Sequence, residues 1–295
     1  MSSTKKTKTS DVAFHRTQAF EGHLGFIDEP EMTFGYGQNL DDPRIGLFTF
    51  GPLEDRRPLG IRIGVVGTPS SIAQYREWSG RFRSSIPVSN RESHTQYPFP
   101  GFESVFKSQW PAVPSIELAV PPTEISRCLR LEDRHVAIFE TVSLFERPIR
   151  EALRQDDLGI DIWFVLVPEE VFLLGRPLSR LRRDERISLD KQMNARLAKR
   201  LLKEPSLFED DMRIAETYKY EVNFHHQLKA RLLDLRAVAQ IIREPSIAKD
   251  GMDSISGVRR RMQDPASIAW NLATASFFKA GGRPWKLANV RDGVC

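Results

Sequence analysis

Residues 60–71 read GIRIGVVGTPSS, and this stretch decides the fold. Ile61, Ile63, Val65 and Val66 make a short apolar run rich in β-branched side chains, which predicts a buried strand over 60–67. Thr68 then offers a hydroxyl that can cap a helix, Pro69 suits its first position, and a helix over 70–84 is expected. A strand that leads straight into a helix opens a doubly wound α/β unit.

Working outward, residues 160–167 read IDIWFVLV, the strongest strand signal in the chain. Near-continuous apolarity suits a central parallel strand covered on both faces. Upstream, Val136, Phe139, Val142, Phe145, Ile149 and Leu153 recur at helical spacing over 134–155. Downstream, Asn223-Phe224 opens a helix over 225–236, residues 238–243 (VAQIIR) read as a short strand, and Asp264-Pro265 starts a helix over 265–279 that Gly281-Gly282 can stop. The fold class is therefore α/β, a Rossmann-like parallel sheet flanked by helices, with a small β-rich N-terminal segment. In that segment the turn residues Pro30, Gly35, Gly37, Pro43 and Gly51-Pro52 leave 45–50 as a short strand. Residues 1–12 read as a disordered tail, 86–123 as a long, partly irregular surface segment, and 169–216 as a basic helical insertion.

The 295 residues are enough for an ample core, and 40% hydrophobic, 28% charged and 9% aromatic content fits a soluble globular protein. No apolar run approaches the ~20 residues of a membrane span, and residues 1–10 are not signal-like. A cytoplasmic protein with no membrane partner is expected. Cys128 and Cys295 cannot make a disulfide framework or a zinc cage. The net charge of +4 and pI near 9.1 lean towards anionic partners. Distribution says more than the sum. Residues 176–203 carry Arg176, Arg180, Arg182, Arg183, Arg186, Lys191, Arg196, Lys199, Arg200 and Lys203, only partly offset by Asp184, Glu185 and Asp190. A second cluster is Arg259-Arg260-Arg261. Such runs are usually solvated helix faces, yet two in one chain point towards phosphate contact.

No catalytic motif stands out. The signatures GxGxxG, GxxxxGK[ST], HExxH and GxSxG are missing, and His225-His226, read as lacking a nearby Cys or carboxylate, make a poor metal site. The stretch 223–243 (NFHHQLKARLLDLRAVAQIIR) offers different chemistry. On a helix, His225 and Lys229 are four apart and share a face, with Leu228, Leu232 and Leu235 on the opposite, apolar side. A cation and a second donor then sit near a helix N-terminus, where backbone N–H groups and the dipole favour an anion. Gln240, at the mouth of the next strand, can donate to a phosphate oxygen. Lys279 ends the apolar run 268–278, where a buried ammonium needs a partner. An exposed helix face, with Lys279 on its own helix's last carbonyls, accounts for the same residues.

The set His225, Lys229, Gln240 and Lys279 resembles the four-residue 5′-phosphate pocket of Argonaute MID domains. There an aromatic or histidine is followed four residues on by Lys, then by a Gln and, at the end of a later helix, by a second Lys. Residues 34–52 (FGYGQNLDDPRIGLFTFGP) look like the N-terminal segment of short prokaryotic Argonautes. Residues 278–295 (FFKAGGRPWKLANVRDGVC) look like their passage into the first PIWI strand. The resemblance spans most of 20–295 and is weakest over 169–216. It implies an N-terminal β segment at 13–58 that packs on PIWI in relatives, a MID domain at 59–282 with the insertion 169–216, and the start of PIWI at 283–295. Lys229, Lys279 and Gln240 would ligate the terminal phosphate of a guide, with His225 stacked on its first nucleotide. Arg259, Arg260, Arg261 and the insertion would touch its backbone.

The resemblance further implies a small guide RNA (or DNA), a single-stranded DNA target, defence against plasmids or phage, and a partner with an APAZ region joined to a TIR, SIR2 or nuclease effector. The sequence ends at Cys295, about where the PIWI sheet would begin, so the acidic residues that hold two metal ions for slicing are expected to be missing and the chain to bind rather than cut. The C-terminal carboxylate that helps hold a metal beside the phosphate in relatives is expected to be missing too. Mg2+ at the guide 5′ phosphate is then a cofactor for which this chain offers only Gln240. Without PIWI, the N-terminal segment should expose Phe34, Tyr36, Ile45, Leu47, Phe48 and Phe50. Two other readings stand beside this one. One is an interaction fragment that docks a separate PIWI or APAZ chain. The other is a Rossmann-like enzyme acting on a small phosphorylated ligand, against which stands the lack of an acid/base pair beside His225.

Overall fold

A computed structural model of the chain describes residues 29–54, 60–89, 96–155, 159–191, 193–204, 206–248 and 263–288. The N-terminal segment begins with β1 (Met32–Thr33), β2 (Asn39–Leu40) and α1 (Pro43–Phe50). The doubly wound unit follows with β3 (Ile63–Gly67), α2 (Pro69–Arg81), α3 (Phe102–Phe106), β4 (Ile116–Ala119), α4 (Pro122–Leu129), α5 (Arg134–Arg154) and β5 (Ile162–Val167). After β5 come α6 (Glu169–Leu174), α7 (Ala195–Lys203), α8 (Glu209–Thr217), α9 (Phe224–Asp234), β6 (Ala239–Arg243), α10 (Pro265–Lys279) and β7 (Lys286–Leu287).

The main sheet has the order β4-β3-β5-β6 and every pair is parallel. Both β3 and β5 are buried along their whole length, as their unbroken apolar runs require of strands covered on two faces. Alternation splits their side chains between two cores. Ile63, Val65, Ile162, Phe164 and Leu166 face α2, α3 and α10, while Val66, Trp163, Val165 and Val167 face α4, α5 and α9. The doubly covered parallel sheet expected from residues 60–71 and 160–167 is therefore present. Thr68 caps α2 as expected, accepting from the Ser71 N–H at 3.1 Å, but the helix ends at Arg81 rather than near 84.

Two expectations need correction. Residues 45–50 are helical, not a strand. The Asp42 carboxylate accepts from the N–H groups of Arg44 (2.8 Å) and Ile45 (3.0 Å), Pro43 fills the first turn, and Leu47 packs into the core. Cap and burial outweigh the β propensity of this apolar stretch. Likewise the described part of 86–123 is not wholly a surface segment. Phe99, Phe102, Phe106 and Trp110 are buried between the sheet and α10, with Phe106 stacked on Phe277 at 4.8 Å, and the segment also supplies the edge strand β4.

The small antiparallel sheet runs β2-β1-β7, so the N-terminal segment is tied to residues after α10. Phe34 is buried there against Trp285, over Gly46, where a Cβ would come within 2.4 Å of the Phe34 ring. Of the six residues expected on the surface, Phe34 and Leu47 are buried and Phe50 is half-buried; Tyr36, Ile45 and Phe48 are exposed. The disordered tail proposed at 1–12 lies outside the described residues.

Candidate functional site

The sheet's edge strand β6 decides where the candidate residues meet. Its register pairs Gln240 with Phe164, so Gln240 and Ile242 point to the α10 side, while Ala239 and Ile241 point to the α9 side. Helices α9 and α10 thus flank the same edge strand from opposite faces.

The last residue of α10 closes the gap. Lys279 Nζ donates to the Ala239 carbonyl and to Gln240 Oε1, both at 2.7 Å. It does not serve its own helix's carbonyls; the Ala280 N–H reaches the Ser276 oxygen at 2.9 Å, and Gly281, at φ +94°, turns the chain away. An ammonium has only three donors, so the strand occupies two and leaves one. An ammonium can only donate, so the contact also fixes the Gln240 amide with its oxygen towards Lys279. Its Nε2 makes one long contact, 3.4 Å to the Ile241 carbonyl.

From the other face, α9 brings His225 and Lys229, both exposed, one turn apart. Its buried stripe of Phe224, Gln227, Leu228, Arg231 and Leu232 keeps them facing outward. Their nearness to Lys279 shows in the electrostatics. Burial, then the charges of Lys229, His226 and Lys279, push the His225 imidazole below its ordinary 6.5. Burial and Lys229 push the Lys279 ammonium below its ordinary 10.5. Among the described residues, no carboxylate forms an ion pair with His225, Lys229 or Lys279. The structure therefore joins Lys279 to Gln240 at the β6 edge and sets His225 and Lys229 on the neighbouring helix, near enough for the charges of Lys229 and Lys279 to act on the imidazole. Burial is the larger cause of both depressions, and a ligand that brings negative charge there would offset the part due to the neighbouring cations.

The site is not built as the sequence suggested. Three of the first four α9 N–H groups already have acceptors: Phe224 donates to the Gly175 carbonyl, His226 to Asn223 Oδ1 and Gln227 to the Asn223 carbonyl. Side chains, rather than the helix entrance, supply the donors. His226 also departs from expectation, since Glu221 reaches its Nδ1 at 3.0 Å. Arg259, Arg260 and Arg261 lie outside the described residues.

Sequence reasoning missed the device that sets the rotation of α9. Arg231 is 8% exposed and donates to Glu146 Oε2 at 2.8 Å and to Ser143 Oγ at 3.0 Å, both on α5. Glu146 is wholly buried and also accepts from Arg150 Nε at 2.7 Å. A signal was present: Arg231 falls on the apolar stripe of α9, where a charge demands a partner.

Mg2+ takes oxygen ligands. The one side-chain oxygen among the four candidate residues is Gln240 Oε1, and Lys279 already occupies it. These residues do not fit the ion on their own. Among the described residues there is no cluster of three or more His, Cys, Asp or Glu suited to a metal, and no helix long and apolar enough to cross a membrane.

No family model matches the chain, and no curated protein does. Among solved structures it is similar to a Clostridium butyricum Argonaute bound to a guide DNA (5′ deoxycytidine) and a 19-mer target DNA. That likeness has a TM-score of 0.41 and 14% identity over 94% of this chain. The chain spans about a quarter of that protein's length, 27%.

Proposed function

We propose that the chain binds the 5′-phosphorylated end of a small nucleic acid, as the MID module of a short prokaryotic Argonaute-like protein. The observation that carries this reading is the cup itself: two ammonium groups, an imidazole and an amide, drawn from three elements, with no carboxylate paired to the three basic groups among the described residues. A terminal phosphate monoester carries between one and two negative charges near neutral pH and offers three acceptor oxygens. It matches the free donors of Lys279, Lys229 and the Gln240 amide. His225, at the exposed end of α9, is placed to stack on or donate to the first nucleotide. The resemblance of residues 34–52 and 278–295 to short Argonautes supports the same assignment, and through it a guide RNA or DNA, a single-stranded DNA target, an APAZ-bearing effector partner and a role in defence. The four cup residues hold no carboxylate to serve as a base, so the role proposed for this site is capture rather than cleavage.

The reading predicts that a short single-stranded oligonucleotide with a 5′ phosphate binds at least about tenfold more tightly than its 5′-hydroxyl counterpart, the value of one charge-assisted contact. Equilibrium binding of the two labelled oligonucleotides measures the ratio. Equal affinities would reject the proposal.

A further inference from the structure

Helix α7 divides its surface cleanly. Arg196, Lys199, Arg200 and Lys203, spaced at three and four residues, form one exposed stripe. Leu197, Ala198, Leu201 and Leu202 fill the other side, and Ala198 is fully buried. The stripe rises about 10 Å along the axis.

Several arginines elsewhere in the molecule are answered by carboxylates: Arg127 by Glu124, Arg150 and Arg231 by Glu146, Arg243 by Glu169. Over 176–203 such pairs are scarce. Among the described residues, Lys191 is the one basic side chain of that span with an ion pair, to Asp211 at 3.0 Å. The first turn of the neighbouring α8 holds Glu209, Asp210 and Asp211, yet none of them pairs with the α7 stripe among the described residues. Carboxylates are at hand in sequence and are not used.

We infer that the α7 stripe is a second nucleic-acid contact, one that grips the sugar-phosphate backbone without reading sequence or end group. Four unpaired cations in a row suit a polyanion with regularly spaced charges, where counterion release rewards each contact. A basic amphipathic helix can also lie on a membrane, but that needs a free apolar face. Here Ala198 is fully buried and Leu197, Leu201 and Leu202 are half-buried, so no fully open apolar face is left. Protein partners are a poorer fit, because interface centres are depleted in Lys and the stripe presents no aromatic anchor. The inference rests on the proposed function only in taking nucleic acid as the ligand.

The test uses the full chain with all four stripe residues replaced, R196Q/K199Q/R200Q/K203Q; glutamine has a similar helix propensity to the residues it replaces. Binding of 5′-phosphate and 5′-hydroxyl oligonucleotides is measured across a salt series. The variant should weaken both by the same factor and lower the slope of log affinity against log salt by about 3, roughly 0.7 for each of four lost contacts on a single strand. The charge-keeping variant R196K/R200K should keep the parent slope. An unchanged slope in the fourfold variant overturns the inference. So does loss of binding to phosphatidylserine vesicles with oligonucleotide binding intact. The two readings fail separately: the stripe is judged by the slope, the cup by the preference for a 5′ phosphate.

Discussion

Replacing Lys279 with methionine is expected to lower affinity for a 5′-phosphorylated oligonucleotide by roughly 10- to 100-fold while leaving the 5′-hydroxyl form almost unaffected. Methionine keeps the apolar stem that sits half-buried at the end of α10 and removes only the ammonium. Two of that ammonium's donors are tied to Ala239 and Gln240, which holds it in one orientation before any ligand arrives. A contact made by a preordered charge avoids much of the ordering cost of binding. Losing it should cost about 1.5–3 kcal/mol, which sets the stated range. The same change frees the Gln240 amide from its partner, so Gln240→Ala should add little on top of it. If the methionine variant weakens both oligonucleotides equally, Lys279 supports the fold and not the phosphate.

Glu146→Ala should be the most damaging single change to stability, at about 3–5 kcal/mol. Its carboxylate is wholly buried and answers two guanidinium groups, Arg231 from α9 and Arg150 from its own helix. Arg150 is partly exposed and can turn to water. Arg231 is not and cannot, so the substitution strands a charge in the core. Removing both ends of the pair is a different matter: Glu146→Leu with Arg231→Met should recover most of the loss, since an apolar pair of similar volume leaves no charge behind. Urea unfolding of the two variants tests this. A single variant as stable as the parent would show that the pair does not hold α9 to α5.

How far the sequence could be read depended on the range of the forces involved. Strands β3 and β5 were legible because β-branched runs speak locally, and Thr68, Asn223 and Asp264 announced their helices through cap chemistry within a few residues. Helix α1 was misread because IGLFTF has the composition of a strand, and Pro43, which follows the Asp42 cap and fills the first turn, was taken for a turn residue. The burial of Phe99, Phe102, Phe106 and Trp110 was invisible because these aromatics follow no period; their place comes from α10, far along the chain. In the site, the His225–Lys229 spacing could be read from a helix. The meeting of Lys279 with Gln240 could not, since 39 residues separate them and only the sheet register brings them together. There the family resemblance supplied what spacing alone could not.

If the positive charge beside β6 serves to hold an anion, the His225 imidazole reports on it directly. Burial sets the sign first, and the neighbouring charges add to it. With burial and the nearby ammonium groups of Lys229 and Lys279 depressing it, His225 stays neutral as pH falls through 6.5, where an unfolded histidine already takes a proton, so it costs stability progressively below that pH until it too titrates. NMR titration of the His225 ring, in the free protein and with a 5′-phosphorylated oligonucleotide bound, measures both states. The expected result is a free value below 6.5 that rises on binding, and rises less with the 5′-hydroxyl form. A ring that titrates at its ordinary value and ignores the phosphate would contradict it.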